Sequence, residues 1–215
     1  MNPGKREDTH PERHKLPADK DESQRNEIVS VTTLIEGWSK VVRVVYRQRN
    51  QDGTSQLHDR DLLDRGDGIT VLLYNRPRRT VLLLRQPRIV ATMTGDPIGE
   101  TIEACNGMVS SGDPEQCALR EVEEETGHRL LRLEPITSVY ASPGGSLEKI
   151  HIFLGEYDET TRVSPGGGLG HEGEDIQLLE IELQLAMQWI RDKVIIDART
   201  IVALQHLYLS EFVPK

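Results

Sequence analysis

The order of strand-like and helical stretches predicts a mixed α+β domain. From residue 28 onward, β-branched and apolar residues alternate with polar ones, as in half-buried strands. One helix interrupts the strands, beginning at Asp113-Pro114 and ending at Gly127. Two amphipathic stretches, near 183–192 and 197–210, close the chain as helices.

The first half of the chain reads as strands and hairpins. Three strand-like stretches come first, with a hairpin turn predicted at Asp52-Gly53 between the second and the third. They are "IVSVTTL", "WSKVVRVVYRQ" and "QLHDRDLLD". "ITVLLYN" and "TVLLLRQ" then flank "RPRR", and their nearly continuous apolar runs predict a buried hairpin.

The second half alternates loops, strands and helices. A loop is expected from Ala91 to Pro97, and "GETIEACNGM" reads as a strand that enters a glycine. After a helix of about 13 residues, strands are predicted at "RLLRLEPITSVY" and "EKIHIFLGEYD". A glycine-rich loop at 164–175 precedes the strand-like "IQLLEIEL", and Asp197 is expected to cap the last helix.

Composition divides the chain into three regions. Residues 1–26 hold six basic and six acidic side chains and almost nothing apolar, which predicts a disordered tail. The expected domains are this tail, an N-terminal β region at 27–65 and a main domain at 66–215. The net charge of −9 then belongs to the two ordered regions, and an acidic surface without a basic stripe argues against nucleic acid as a partner.

The sequence also bears on compartment. It contains neither a long apolar run typical of a membrane span nor a signal peptide, so we expect a cytoplasmic protein without a membrane partner. The two cysteines, Cys105 and Cys117, are expected to be reduced core thiols.

Four glutamates crowd the end of the central helix. At about 100° per residue, Glu121, Glu124 and Glu125 share one face, while Glu123 points away. A solvated acidic face is the plain alternative. However, the helix dipole disfavours negative charge in the last turns, and clustered carboxylates are the ligands that Mg²⁺ or Mn²⁺ selects. The cluster therefore predicts a divalent metal site.

The surrounding residues resemble the signature of the Nudix hydrolases. From Gly107 the chain reads G-x5-D-x6-R-E-V-x-E-E-x-G. The R-E-U-x-E-E-x-G half of the usual form, in which U is aliphatic, matches completely. Aspartate replaces the first glutamate, the spacer is one residue short, and His128 stands where an aliphatic residue is common. None of these departures touches the carboxylate face.

The resemblance extends over roughly residues 30–210, to the branch of Nudix enzymes that contains nucleoside diphosphate sugar pyrophosphatases. The segments that carry it are "RQPR", "ETIEACNG", "SPGGSLE", "DRGDGITVLLYN" and "GGG" followed by "EDI". It implies an α/β/α sandwich with a mixed sheet and a homodimer whose N-terminal antiparallel strands help to complete the partner's site. The implied reaction is Mg²⁺-dependent hydrolysis of GDP-mannose to GMP and mannose 1-phosphate, with ADP-ribose or a UDP-sugar as alternative substrates.

By this resemblance, Glu121 and Glu125 are the main Mg²⁺ ligands, with Mn²⁺ as the alternative ion. The backbone carbonyl of Asn106 is a third ligand, so that the side chain at this position is expected not to matter. Glu174 joins from the glycine-rich loop and also serves as base or water-orienting group, with Glu172 as the second choice. Glu124 is a weaker ligand, and Arg120 orients the glutamates by ion pairs.

The resemblance also implies a substrate-binding set. Arg88 is expected to hold a phosphate as a planar donor fork, and Trp38 either stacks on the base or belongs to the core. Arg60 would reach across the dimer. The other expected substrate contacts are Gly107, Glu148 and Arg199.

Two alternatives to an enzyme remain at this stage. A non-catalytic Nudix domain would bind a nucleotide sugar and regulate a partner, and a purely structural dimer would leave the paired carboxylates without a purpose. Turnover of a nucleotide sugar separates an enzyme from both.

Overall fold

A computed structural model describes residues 25–110, 112–170 and 173–212 of the chain. Nearly all of the predicted tail, residues 1–26, lies outside these ranges. Within them the strands are β1 (Asn26–Glu36), β2 (Lys40–Arg49), β3 (Ser55–Asp64), β4 (Gly68–Asn75), β5 (Thr80–Pro87), β6 (Glu100–Glu103), β7 (Cys105–Met108), β8 (Glu134–Tyr140), β9 (Lys149–Glu156) and β10 (Gln177–Glu182). The helices are α1 (Ile89–Met93), α2 (Pro114–Thr126), α3 (Leu183–Arg191) and α4 (Ala198–Phe212), with one 3₁₀ turn at Glu159–Thr161.

The fold contains two compact units. The first combines the described part of Met1–Thr32 with Arg43–Arg60, and the second combines Thr33–Val42 with Asp61–Lys215. Strands β1, β2 and β3 form an antiparallel three-stranded sheet in that order. The predicted turn is present at Asp52-Gly53, where Asp52 accepts a hydrogen bond from the Thr54 amide and Gly53 has a φ of 83°. The predicted domain boundary at 65/66 remains a prediction.

The second unit is built on a seven-stranded mixed sheet. Its order is β10-β5-β4-β9-β8, with β6 paired to β5 and β7 paired to β4. Strands β4 and β9 run parallel, and the other pairs are antiparallel. The sequence prediction of a mixed sheet is therefore confirmed.

Alternation along β4 divides the core between two faces. Leu72 and Tyr74 point to the face covered by α3 and α4, while Val71 and Leu73 point to the face covered by α2. Because each face buries its own apolar cluster, the sheet is sandwiched between helices in three layers. Full burial of one leucine in such a cluster contributes about 2 kcal/mol.

One loop prediction and two strand predictions need correction. The stretch predicted as a loop from Ala91 begins inside the short helix α1. "GETIEACNGM" is not one strand, because the chain breaks at Ala104 and its two halves pair with different neighbours, β5 and β4. In "RLLRLEPITSVY", only the second half is a strand. Leu130 and Leu133 lie three residues apart and both pack into the α2-side core, which strand alternation does not allow.

His128 is a core residue of the α2 side. Its side chain is buried, its Nδ1 lies 2.8 Å from the Thr161 hydroxyl, and its ring meets that of Tyr157 edge-on at 4.8 Å. Burial, helped by Arg162, lowers the pKa of His128 below its ordinary value. The ring therefore takes the packing role of the aliphatic residue expected at this position.

Two further expectations concern the thiols and the membrane. Cys105 and Cys117 are both buried thiols that form no disulfide with any described residue, in agreement with the prediction of reduced core thiols. Across the described ranges, we find no helix that combines the length and the apolar character needed to cross a membrane.

Candidate active site

The position of the glutamates depends on helix α2, which is capped at both ends by residues adjacent to it in sequence. Asp113 accepts a hydrogen bond from the Glu115 amide at 3.1 Å, and Gly127 ends the helix with a left-handed φ of 74°. Ala118 and Val122 are fully buried against the sheet. The predicted 13-residue helix is therefore present, and its orientation is fixed by its apolar stripe.

The four glutamates of α2 differ in exposure. Glu125 is almost completely buried, and the side chains of Glu121 and Glu124 are 14% and 27% exposed. Glu123 is the most open at 36% and pairs with Arg129 at 2.6 Å, on the outer side of the helix. The helix thus presents three carboxylates inward and one outward, as the helical periodicity predicts.

Gly107 allows Glu121 to lie against the sheet. β7 pairs with β4 so that Gly107 is opposite Ile69. A Cβ added at Gly107 would overlap the Cγ and Cδ atoms of Glu121. A side chain at Gly107 would therefore displace the Glu121 carboxylate from its present position, and the expected contact of Gly107 with substrate remains a prediction.

The glycine-rich loop closes the carboxyl end of α2. The amides of Gly167 and Gly168 donate to the carbonyls of Glu125 and Glu124 at 2.8 and 3.3 Å. A side chain at Gly166 would collide with the backbone of the last helical turn. Amide hydrogens aimed at these carbonyls partly offset the negative end of the helix dipole, where the carboxylates are crowded.

Glu174 comes close to the helix through the same loop. Its Oε2 accepts a hydrogen bond from the Leu169 amide at 2.8 Å and lies over Gly168, where a side chain would not fit. Glu172, the alternative loop carboxylate, lies outside the described residues.

Burial and neighbouring carboxylates raise the pKa of two of the glutamates, Glu125 and Glu121. Burial is the main cause that raises the pKa of Glu125 to about 8, and the charges of Glu174 and Glu121 add to it, against hydrogen bonds from Cys105 and Asn106 that lower it. The pKa of Glu121 is also raised, by burial first and by Glu124 and Glu174, although Arg120 opposes the shift. Since burial and like charge both favour the protonated forms, a cation at this position would be strongly favoured.

The donor set fits a hard divalent cation in chemistry, because it consists of carboxylates. In the described ranges, however, no three acidic, histidine or cysteine side chains already surround one point at ligand distance. The carboxylates are turned toward protein donors: Arg120 pairs with Glu121 at 2.6 Å and with Glu124 at 2.5 Å, and Glu125 accepts from the Asn106 amide at 3.0 Å. Coordination of a metal therefore requires these side chains to rotate away from their present partners.

Glu103 gathers the two arginines that were predicted to bind substrate. Arg88, at the end of β5, donates from Nε and Nη2 to the two oxygens of Glu103 at 2.9 and 3.0 Å. Arg199, at the start of α4, donates from Nη2 to the same carboxylate at 3.0 Å and from Nε to Asp197. Burial raises the pKa of Glu103, but its contacts with Arg88, Thr101 and Arg199 outweigh burial and hold it below the ordinary value. Glu103 is therefore an ionised, buried anchor for both guanidinium groups.

The side chain of Asn106 matters, contrary to the expectation that only its carbonyl is used. It is 8% exposed. Its Oδ1 accepts from the Thr70 hydroxyl at 2.6 Å, and its Nδ2 donates to Glu103 at 3.0 Å and to the Ala104 carbonyl at 2.6 Å. An alanine would leave the buried polar groups around it without these partners.

A cavity of about 460 Å³ adjoins Arg199 and includes another predicted residue, Glu148. Its polar lining is completed by Arg65, Tyr140 and Asp197, over a floor of small and β-branched side chains. Two larger cavities lie elsewhere and contain none of the predicted site residues. The cavity beside Arg199 therefore offers both donors and acceptors close to the arginine pair.

Trp38 is not a core residue, so the alternative that placed it in the core is wrong. It is 86% exposed, and the Arg65 guanidinium lies 4.4 Å from its ring centre. One ring face is thus covered by an arginine that also lines the cavity.

Arg60 lies on β3 in the first compact unit, whereas the other predicted site residues lie in the second.

Sequence reasoning missed three contributors to this region: Glu103, Asp197 as an arginine partner, and Arg65. Glu103 offered a signal, because an acid that lies between Ile102 and Ala104 in a predicted strand needs a cationic partner if it is buried. Arg65 offered none, since its contact with Trp38 depends on tertiary structure alone.

The amino-acid sequence of the chain is similar to a known domain family and to named enzymes. The NUDIX domain matches residues 64–198. The chain is 40% identical over 183 residues to GDP-mannose pyrophosphatase of Cronobacter sakazakii, covering 85% of this chain and 95% of that protein. It is 35% identical over 191 residues to GDP-mannose pyrophosphatase of Citrobacter koseri, covering 89% and 99%.

A solved structure described as an ADP compounds hydrolase has a similar fold. Its TM-score is 0.65 at 18% identity, and the match covers 87% of this chain and 95% of that one. At this identity the likeness supports the three-layer fold alone.

Glu125→Gln tests, without any substrate, whether burial and like charge raise the pKa of Glu125. The folded-state pKa of Glu125 is about 8 against an ordinary value of 4.5, so between these values the folded protein binds more protons than the unfolded chain. In EDTA, the unfolding free energy of the wild type should therefore fall as pH rises from about 5 to about 8, by a few kcal/mol at roughly 1.4 kcal/mol per pKa unit. Glu125→Gln should show a smaller fall in urea denaturation at the two pH values. If the unfolding free energy fell equally in both proteins between the two pH values, the raised pKa assigned to Glu125 would be contradicted.

Proposed function

The chain belongs to the NUDIX family and is a Nudix hydrolase, and we propose that it hydrolyses the pyrophosphate bond of a nucleoside diphosphate sugar. GDP-mannose is the first proposed substrate, giving GMP and mannose 1-phosphate. The observation that supports this proposal is that a candidate cation site and a candidate anion site lie in one hydrogen-bonded network. The carboxylates of α2 attract a cation, and the arginines on Glu103 attract an anion, as a metal-bound pyrophosphate requires.

NUDIX hydrolases generally require a divalent metal ion, usually Mg²⁺. We assign Glu121 and Glu125 as its main ligands, with Glu124, Glu174 and the carbonyl of Asn106 as the others. When bound, the ion supplies charge neutralisation at the phosphates and lowers the pKa of a coordinated water. The raised pKa values of Glu121 and Glu125, caused first by burial and then by neighbouring carboxylates, support the assignment, because a bound cation would offset both effects.

The protein's own groups bind, orient and deprotonate. Arg88 and Arg199 hold the phosphate oxygens with the donors that Glu103 leaves open. Glu174 is the proposed base that takes a proton from the attacking water, since its loop docks on the end of α2. The water oxygen forms a bond to one phosphorus as the bridging P–O bond breaks, and the released phosphate group leaves as the second monophosphate.

The cavity beside Arg199 is the proposed site for part of the sugar or nucleoside. Glu148 and Asp197 offer acceptors for hydroxyl groups, and Tyr140 offers a ring face. Trp38 is the proposed stacking partner of the base, because its ring is exposed and steadied by Arg65. Two named relatives act on GDP-mannose, which supports this sugar nucleotide ahead of ADP-ribose or a UDP-sugar.

We also propose that the chain forms a homodimer through its N-terminal strands, with Arg60 of β3 reaching toward the other copy. Every residue of β1 is exposed, including the apolar Val29 and Val31, which point to one face. Sedimentation should give the mass of a dimer for the wild type and for Ser30→Lys on the opposite face, and a monomer for Val29→Lys combined with Val31→Lys. A monomeric wild type would refute the dimer.

Hydrolysis of GDP-mannose, ADP-ribose and UDP-glucose with Mg²⁺ tests the function and the metal ligands together. Glu121→Gln and Glu125→Gln should each lower kcat/KM at least about 100-fold, because even the outer partners of metal ligands typically cost 10–100-fold. Glu123→Gln is the matched control on the same helix and should remain near wild type, since its carboxylate faces Arg129 on the outside.

Three outcomes of that experiment would change the proposal. Faster turnover of ADP-ribose or UDP-glucose would replace the substrate. Binding of a nucleotide sugar without turnover would favour a sensor domain. Equal losses of kcat/KM in all three variants would refute the assignment of Glu121 and Glu125 as metal ligands.

A further inference from the structure

Asn106 connects two carboxylates that serve different parts of the candidate site. Its backbone amide donates to Glu125 at 3.0 Å, and its side-chain Nδ2 donates to Glu103 at 3.0 Å. Asn106, Glu103 and Glu125 are all at least nine-tenths buried. The Thr70 hydroxyl, bonded to the Asn106 Oδ1, fixes the amide plane. One rigid residue thus joins the carboxylate cluster of α2 to the carboxylate that holds the arginines.

Glu103 also sets how the two arginines can act. The Nη2 atoms of Arg88 and Arg199 each lie 3.0 Å from the same oxygen, Oε2, so the two guanidinium groups are close neighbours. In the described part of the chain, the Nη1 groups of Arg88 and Arg199 make no protein hydrogen bond. These donors remain available to an anion whose position is determined by Glu103.

We propose that Glu103 and the Asn106 side chain are positioning residues that fix the arginine pair relative to the metal ligand Glu125. The Glu103 carboxylate and the side-chain amide of Asn106 contact neither phosphate nor metal, whereas the backbone carbonyl of Asn106 keeps its proposed place among the metal ligands. Because a bound phosphate must reach both the arginines and the cation, fixed spacing allows each to strengthen the binding of the other. The inference rests on the proposed function, since it takes Glu125 as a cation ligand and the arginines as phosphate donors.

The consequence is a thermodynamic linkage between metal and phosphate. If phosphate tightens metal binding, metal tightens phosphate binding by the same factor. Part of this factor comes from direct attraction between the two ligands. The remainder depends on how well the protein holds their binding groups in register, and this part is lost when the hydrogen bond between Asn106 and Glu103 is removed.

Equilibrium binding of Mn²⁺, followed by the EPR signal of the free ion, measures this linkage. The dissociation constant is determined with and without saturating GMP, a phosphate-bearing product of the proposed reaction. In the wild type, GMP should tighten Mn²⁺ binding by about fivefold or more. In Asn106→Ala and in Glu103→Gln, this enhancement should drop at least threefold. The affinity for Mn²⁺ alone should change less than about twofold, because both variants keep the backbone carbonyl and amide of position 106 as well as Glu125.

Thr101→Val is the matched control. It removes another hydrogen bond to Glu103 but leaves the link to Asn106, so it should keep the wild-type enhancement. Asn106→Ala leaves the negative charge of Glu103 in place beside the two arginines. It therefore still measures the enhancement of Mn²⁺ binding by GMP if Glu103→Gln does not fold.

Each remaining outcome decides against part of the account. Enhancement that persists in both variants overturns the positioning role alone. Loss of Mn²⁺ binding without GMP in Asn106→Ala also overturns it, because the residue would then only support the metal site. A wild type that does not bind Mn²⁺ refutes the proposed function, and one that binds Mn²⁺ without any effect of GMP refutes the linkage only.

Discussion

The repulsion among carboxylates at the end of α2 is the constraint on which the site depends. Burial, together with the charges of neighbouring carboxylates including Glu174, raises the pKa of Glu121 and of Glu125, and Glu125 is nearly completely buried. They lie where the helix dipole adds further negative potential. Neighbouring groups partly offset this negative charge. The glycine-rich loop donates amide hydrogens to the last carbonyls of α2, and Arg120 forms ion pairs with Glu121 and Glu124. Such an arrangement costs stability in the metal-free protein and provides affinity for a divalent cation.

The opposite charge is organised around Glu103, which Asn106 links to Glu125 by hydrogen bonds. Arg88 and Arg199 come from different elements and meet only because Glu103 is buried between them. Without that carboxylate, two close guanidinium groups would repel each other. The same residue reaches the metal side through Asn106. Cation and anion sites are therefore parts of one hydrogen-bonded network, which suits a substrate whose reacting group is a metal-bound pyrophosphate.

Local signals made much of the fold predictable. Both ends of α2 are set by residues adjacent in sequence, Asp113 and Gly127, and the strand pattern of β4 and β5 is a nearly continuous apolar run. The carboxylate face followed from helical periodicity alone. What sequence could not supply were contacts between distant residues: Glu103 lies 15 residues from Arg88 and 96 from Arg199, and no local pattern reports such a pair. The break at Ala104 was missed for the same reason, because it depends on which neighbours the two halves pair with.

The most direct test of the central claim is the effect of Mg²⁺ on the unfolding free energy at about pH 8, without substrate. If the crowded carboxylates form a cation site, millimolar Mg²⁺ should stabilise the wild type by roughly 1–3 kcal/mol, as expected when an ion binds only the folded state. Glu125→Gln should gain much less, although its metal-free form is no less stable than the wild type. A wild type whose unfolding free energy does not respond to Mg²⁺, or an equal gain in both proteins, would contradict the account.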